Sequence, residues 1–254
     1  MTKKIAIANQ KGGVGKTTTA ICLAQELKSR GYRVLFIDTD AQRNSTGFYG
    51  AKTEGESTLA DILYGDIPAA ECIQHLEYGD IIPADKALED AETTVKPNER
   101  RFSHLKRSCR GIEDDYDFII IDTPPDIGVV LRNVLAFADG VIIPVEETGW
   151  SLDGLMDFSE AIDMARDNND RLTIYGILTI KSKSRTKKAA RISDVLSEIS
   201  KQLGTKPFKT KIRESVACAE ALTEYNIPLQ KYAPKSTTCI DYHDFTDELL
   251  EVLK

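Results

Sequence analysis

The sequence has few of the residues that build metal centres and disulfide frameworks. It contains three histidines and five cysteines, and no two cysteines have the CxxC spacing. Neither a zinc site nor a redox pair is therefore indicated, and we expect the cysteines to be buried, reduced thiols.

Long apolar runs are also missing. No run of about 18 apolar residues occurs, so no transmembrane helix is predicted. The N-terminal residues Met1 to Ile5 lead directly into an apolar run and show no signal-peptide pattern, so we expect a cytoplasmic protein. The 254 residues contain no Pro/Gly-rich linker and no internal repeat, which favours one domain over 1–254, without an N-terminal helix-turn-helix domain.

Apolar strand-like runs alternate with helical patterns along the chain. The runs are rich in β-branched residues and lie at 4–8, 34–37, 118–121, 141–143 and 172–180. Helical spacing predicts one helix that begins near Thr17. It predicts three more over 129–137, 152–166 and 187–203. Less regular patterns predict a short helix over 58–64, capped by Ser57, and an edge strand at 80–83. The alternation predicts an α/β fold, a mostly parallel, twisted β-sheet with helices on both faces.

A glycine-rich loop joins the first strand to the first helix. Its three glycines let the backbone aim N–H groups at an anion, and the helix that follows adds its dipole. Lys16 is placed to reach the β- and γ-phosphates of ATP, and the Thr17 hydroxyl to hold Mg²⁺. The predicted nucleotide-binding residues of this loop are Lys11, Gly12, Gly13, Val14, Gly15, Lys16, Thr17 and Thr18. An ordinary P-loop has glycine six residues before the lysine, whereas this loop has Gln10.

Acidic residues end two of the predicted strands. Asp122 closes the run at 118–121, where a carboxylate can bind a water on Mg²⁺ beside Thr17. Asp38 and Asp40 follow the run at 34–37, and one could orient the attacking water while the other serves the metal shell. The spacing does not choose between Asp38 and Asp40.

Charge is distributed unevenly along the chain. The formal net charge is −7, but the segment 181–213 has eleven Lys/Arg against two Asp/Glu, a local charge of +9. Clustered cations of this kind suit phosphate contacts to nucleic acid. The predicted DNA-binding residues are Lys181, Lys183, Arg185, Lys187, Lys188 and Arg213.

These motifs resemble those of the ParA/MinD ATPases. The loop KGGVGKTT at 11–18 resembles the deviant Walker A motif of that superfamily. Four later blocks also resemble the family, in its ParA form: VLFIDTDAQ at 34–42, FIIIDTPP at 118–125, GVIIPV at 140–145 with SLDGL at 151–155, and IRESVACAEA at 212–221. A family-like arginine near Ala217 is missing from the last block.

The resemblance implies an ATP-hydrolysing enzyme that dimerises on ATP. Lys11 is surplus to one ATP site that already holds Lys16, and the resemblance implies that it crosses to the partner's phosphates. It assigns water activation to Asp40, the magnesium shell to Asp122 and orientation of Lys11 to Asp153, and it places Ile212 and Arg213 beside the adenine. It further implies non-specific DNA binding on the nucleoid and a ParB-type partner in plasmid or chromosome partitioning.

Rival functions require features that differ from this sequence. A MinD-like membrane-cycling regulator would end in a basic amphipathic helix. Here the last residues have an apolar side containing Phe245, Leu249, Val252 and Leu253, but an acidic polar side, which favours docking on the core over membrane binding. An iron–sulfur carrier would need paired cysteines, and a bacterial tyrosine kinase a tyrosine-rich tail, whereas Tyr242 is the only tyrosine in the last twenty residues.

Overall fold

A computed structural model describes residues 1–97, 101–147, 152–182, 196–198 and 200–254, without the side chains of 152–157. The strands are β1 Lys3–Ile7, β2 Val34–Asp38, β3 Gln74–Leu76, β4 Gly79–Ile82, β5 Phe118–Asp122, β6 Gly140–Glu146, β7 Thr173–Ser182 and β8 Pro207–Arg213. The helices are α1 Lys16–Ser29, α2 Asn44–Tyr49, α3 Leu59–Gly65, α4 Ala91–Thr94, α5 His104–Ser108, α6 Val129–Phe137, α7 Leu152–Arg166, α8 Val216–Ala219, α9 Leu229–Tyr232 and α10 Thr237–Val252.

The eight strands form one sheet in the order β3-β4-β2-β5-β1-β6-β7-β8. Strand β3 runs antiparallel to β4, and every other neighbouring pair is parallel. The predicted fold class, a mostly parallel sheet covered by helices, is therefore confirmed. Because the strands point the same way, the residues that end β1, β2 and β5 meet at one edge, where Asp38 lies opposite Asp122.

Three local predictions were wrong or incomplete. The cap of α3 is Thr58 rather than Ser57, because Thr58 exchanges side-chain hydrogen bonds with Asp61 in a capping box. Strand β4 is one position inside the edge, which is formed by β3. Strand β8 was not predicted, since its alternating lysines give only a weak apolar pattern. The predicted helix over 187–203 falls largely outside the described residues.

Apolar side chains form one core layer on each face of the sheet. One layer packs α3, α6 and α7 against the sheet, and the other packs α1 and α10. Phe245 and Leu249 of α10 are fully buried, and Phe245 meets the ring of Phe208 on β8 at 4.9 Å between centroids. The C-terminal helix thus docks on the core as expected, although Val252 is half exposed.

All five cysteines are buried and free, as the sequence predicted. Within the described residues, no helix is both long enough and apolar enough to cross a membrane.

Candidate nucleotide-binding site

The glycine-rich loop lies between the end of β1 and the start of α1, at the carboxyl edge of the sheet. Gly13 and Gly15 have φ angles of 73° and 72°, a left-handed conformation that glycine adopts without strain. A Cβ atom on Gly15 would also lie 2.6 Å from Cδ1 of Ile180 on β7. The glycine spacing is therefore needed both for the turn and for close packing of the loop on β7.

Lys16 lies inside the loop, with only 6% of its surface exposed. Its Nζ donates to the backbone oxygen of Lys11 at 3.3 Å, which closes the loop around the ammonium group. Burial lowers the pKa of Lys16, and the carboxylates of Asp122, Asp40 and Asp126 oppose that shift. The site therefore combines a buried cation with three nearby acids, which is the charge pattern that a metal–triphosphate complex requires.

Asp122 is fully buried at the end of β5. Its Oδ2 accepts a hydrogen bond from the Ser45 hydroxyl at 2.8 Å, and among the described residues its Oδ1 has no partner. Burial, and then the adjacent carboxylate of Asp38, raise the pKa of Asp122 to about 8. A divalent cation would offset both the loss of solvation and the repulsion between the two carboxylates. Thr17 lies beside the Asp122 carboxyl group, so the residues here fit Mg²⁺.

Asp38 and Asp40 occupy different environments. Asp38 is fully buried, its Oδ2 accepts from the Thr46 backbone at 2.8 Å and hydroxyl at 2.7 Å, and its Oδ1 accepts from the Asp40 backbone at 3.1 Å. Asp40 is partly exposed, and its Oδ1 accepts from the Gln42 backbone at 2.9 Å. It lines a cavity of about 330 Å³ with Pro124, Pro125 and Asp126. The geometry thus ties Asp38 into the loop that follows β2 and leaves Asp40 at the wall of this cavity.

Lys11 lies at the entrance of the loop with 43% of its side chain exposed. Its Nζ is 3.3 Å from Oε2 of Glu146, and its backbone N–H donates to Oδ1 of Asn9 at 3.0 Å. Glu146 also pairs with Lys181, and these two lysines lower the pKa of Glu146. The entrance is therefore a cluster of two lysines that share one carboxylate.

A cavity of about 190 Å³ lies beside the loop, between the ends of β7 and β8. Its walls include Gly15, Thr18, Lys181, Ile212 and Cys218. Arg213 also lines the cavity, but its guanidinium forms an ion pair with Asp241 at 2.6 Å. The two residues predicted beside the adenine, Ile212 and Arg213, thus both line a cavity next to the phosphate loop, and their role stays a prediction.

Comparison with known proteins identifies the family. A model described as an AAA domain matches residues 2–174. The sporulation initiation inhibitor protein Soj of Bacillus subtilis is 36% identical over 253 residues, which cover 98% of each chain. The chromosome partitioning protein ParA of Myxococcus xanthus is 34% identical over 97% of this chain and 87% of its own. The chain belongs to the ParA/MinD superfamily, on its ParA/Soj side.

A solved structure supports the fold. Cobyrinic acid a,c-diamide synthase from Mycobacterium smegmatis, with a bound ATP analogue and magnesium, superimposes with a TM-score of 0.82 at 29% identity. The alignment covers 99% of this chain and 95% of that one. The fold of this ParA-family chain is therefore one that holds ATP-type ligands with magnesium in a solved relative.

Several residues predicted from the charge pattern or from the ParA resemblance lie outside the described part of the chain. They are Lys183, Arg185, Lys187 and Lys188 of the basic segment and the side chain of Asp153. Their roles stay predictions. The other two predicted DNA contacts, Lys181 and Arg213, line the cavity beside the phosphate loop and form ion pairs with Glu146 and Asp241.

The sequence reasoning missed four residues that build the site. Ser45 and Thr46 bind Asp122 and Asp38 from the start of α2, Asn9 donates to the Pro144 backbone at 2.7 Å, and Glu146 holds Lys11. Glu146 had a readable signal, because it is an acidic residue at the end of a strongly apolar run. Ser45 and Thr46 had none, since small hydroxyl residues are common wherever a helix begins.

Proposed function

We propose that this chain is a ParA-type partitioning ATPase. It binds ATP with Mg²⁺, forms an ATP-dependent sandwich dimer, binds DNA non-specifically on the nucleoid, and moves a plasmid or chromosome with a ParB-type partner. Magnesium would be held by Thr17 and, through water, by Asp122, and would neutralise charge on the transferring phosphate. Support comes from the loop geometry, from the orphaned Oδ1 of Asp122 and from the ParA and Soj relatives.

The position of Lys11 is the observation that carries the proposal. Lys16 already supplies a cation from inside the loop, whereas Lys11 lies at the loop entrance with a large exposed fraction. A cation at the entrance can approach phosphates bound by a second copy of the chain. Such a contact would form only when ATP is present, and it would couple dimerisation to the nucleotide.

Replacement of Lys11 tests this role. We expect Lys11→Ala to bind ATP within about threefold of the wild type but to stay monomeric with ATP, because its own loop keeps Lys16. Binding is measured by calorimetry, and mass by light scattering in the presence of a non-hydrolysable ATP analogue. Lys16→Ala is the matched control and should lose nucleotide binding itself. A Lys11→Ala protein that still dimerises and hydrolyses ATP normally would refute the proposal.

The alternative of a MinD-like membrane regulator receives less support. Its membrane helix would need a free apolar face, but Phe245 and Leu249 on α10 are used in the core. The polar side of α10 carries Asp244, Asp247 and Glu248, which repel anionic lipid.

A further inference from the structure

We propose that Lys181 is a positioning residue of the phosphate loop: it holds the peptide between Gly13 and Val14 so that the Val14 N–H is aimed at the polyphosphate of a bound nucleoside triphosphate. This inference rests on the proposed binding of ATP at the loop. It replaces the sequence-based prediction that Lys181 contacts DNA.

The first observation is a direct contact between Lys181 and the loop backbone. The Nζ atom of Lys181 donates to the backbone oxygen of Gly13 at 2.9 Å, although the two residues are 168 positions apart in the sequence. A cation that donates to a carbonyl forms one of the stronger hydrogen bonds in proteins. Lys181 is thereby occupied on the nucleotide side of the sheet.

Because the peptide bond is planar, this contact also fixes the direction of the Val14 N–H. The carbonyl of Gly13 and the N–H of Val14 belong to one plane and point in opposite directions. When Lys181 fixes the carbonyl, the Val14 N–H must point away from Lys181. Gly13 has a positive φ and would otherwise rotate readily, because glycine has two accessible basins there.

The end of β7 is shaped to bring Lys181 onto the loop. Lys181 itself has a φ of 50°, a conformation that a residue with a long side chain rarely adopts without a compensating contact. Its neighbour Ile180 packs against Gly15 so closely that no side chain would fit there. Two consecutive residues of β7 thus touch two alternate glycines of the same loop.

Glu146 keeps Lys181 in place. Its Oε1 pairs with Lys181 while its Oε2 pairs with Lys11 at 3.3 Å, so the side chain of Lys181 is held between a carboxylate and the Gly13 carbonyl. The ammonium group of Lys181 is therefore already engaged by two acceptors, although the two lysines share a single carboxylate.

The test compares ATP with inorganic tripolyphosphate, which has no base or ribose. Affinities with Mg²⁺ are measured by calorimetry for the wild type, Lys181→Met, Lys181→Arg and the control Lys206→Gln, an exposed lysine of the same segment. We expect Lys181→Met to lower the affinity for both ligands by about tenfold, because one charged hydrogen bond is lost. Lys181→Arg retains a donor and should recover most of the affinity, and Lys206→Gln should match the wild type.

Several outcomes would overturn the inference. If only the affinity for ATP fell, Lys181 would act on the base or ribose from the cavity beside the phosphate loop and not on the phosphates. Unchanged affinity for both ligands, with loss of DNA binding at saturating ATP, would restore the DNA role. A lower melting temperature without nucleotide, and no selective loss of phosphate affinity, would make it merely structural. A wild-type protein that binds neither ligand would refute the proposed function instead, so the two failures are distinguishable.

Discussion

At the residue scale, two aspartates only two positions apart lie in different environments. Asp38 is buried, and both of its oxygens accept hydrogen bonds that hold the turn between β2 and α2. Asp40 is partly exposed and lines a cavity with Pro124 and Pro125. The spacing left the two open; burial distinguishes their environments, and the catalytic role of Asp40 stays a prediction.

We expect Asp40→Ala to keep its stability and ATP binding but to lose at least about 100-fold in turnover, the usual effect of removing a group that orients or activates water. Phosphate release under saturating ATP measures this loss. A variant with wild-type turnover would remove Asp40 from the reaction.

The matched change Asp38→Ala should have the opposite profile. It leaves the buried N–H and hydroxyl donors of Thr46 without their acceptor, which costs about 1–3 kcal/mol of the free energy of unfolding. Urea denaturation without nucleotide measures this change. Equal stability of Asp38→Ala and Asp40→Ala would contradict the division of roles.

At the element scale, α1 is fastened to α10 by a polar cluster on its last turns. Glu26 contacts Arg30 at 3.0 Å, His243 at 2.7 Å and Gln230 at 3.1 Å. Burial would raise the pKa of Glu26, but these hydrogen bonds outweigh it and the pKa is lowered. The phosphate-loop helix is therefore anchored at its far end by an ionised carboxylate.

This cluster predicts a dependence of stability on pH. A glutamate whose pKa is lower in the folded state than in the unfolded state stabilises the protein when the pH is above the unfolded-state pKa, about 4.3. This stabilisation is lost as the pH falls through the folded-state pKa. We expect the wild type to lose more stability between pH 7 and pH 4 than Glu26→Gln does. The urea midpoint at each pH is the measurement, with Glu251→Gln, an exposed residue of α10, as control. Equal pH dependence of stability in all three proteins would show that ionisation of Glu26 does not contribute to stability.

A second element-scale feature is the close packing of β7 on β8. A Cβ atom on Gly176 would lie 2.5 Å from the ring of Phe208, which is itself packed on Phe245. We expect Gly176→Ala to lower the free energy of unfolding by about 1–3 kcal/mol, because the ring has to shift in a dense core.

Gly47 in α2 provides the control for Gly176→Ala. An added Cβ there meets nothing within 4 Å, so Gly47→Ala should stabilise the protein by about 0.5–1 kcal/mol. Thermal or urea unfolding compares the two. If Gly176→Ala were as stable as Gly47→Ala, the packing account of β7 and β8 would be wrong.

At the scale of the whole molecule, several of the cations that the structure describes between residues 181 and 213 are already paired. Lys181, Lys211 and Arg213 contact Glu146, Glu147 and Asp241. Lys206 and Lys209 are exposed, and the described residues give them no ion pair. These two lysines therefore present exposed charge, whereas the predicted DNA contacts Lys183, Arg185, Lys187 and Lys188 lie outside the described residues.

A salt titration of DNA binding with ATP tests this distribution. We expect a Lys183→Gln, Arg185→Gln, Lys187→Gln triple variant to weaken binding uniformly over DNA sequences and to reduce the salt slope by about 3, because each lost phosphate contact removes nearly one unit. The control replaces Lys52, Lys86 and Lys235, three exposed lysines outside the segment, with Gln. Equal loss in both variants would mean a diffuse charge effect, and no DNA binding at low salt would end the DNA hypothesis.

The sequence by itself determined the central parallel strands, the phosphate loop and the acidic ends of β2 and β5. These features rest on local patterns: apolar periodicity, glycine spacing, and the rule that parallel strands end at one edge. The tertiary structure decided which aspartate is buried, that Glu146 holds Lys11, and that Lys181 lies on the loop. Those facts depend on contacts between residues more than a hundred positions apart, and on burial that no local pattern records.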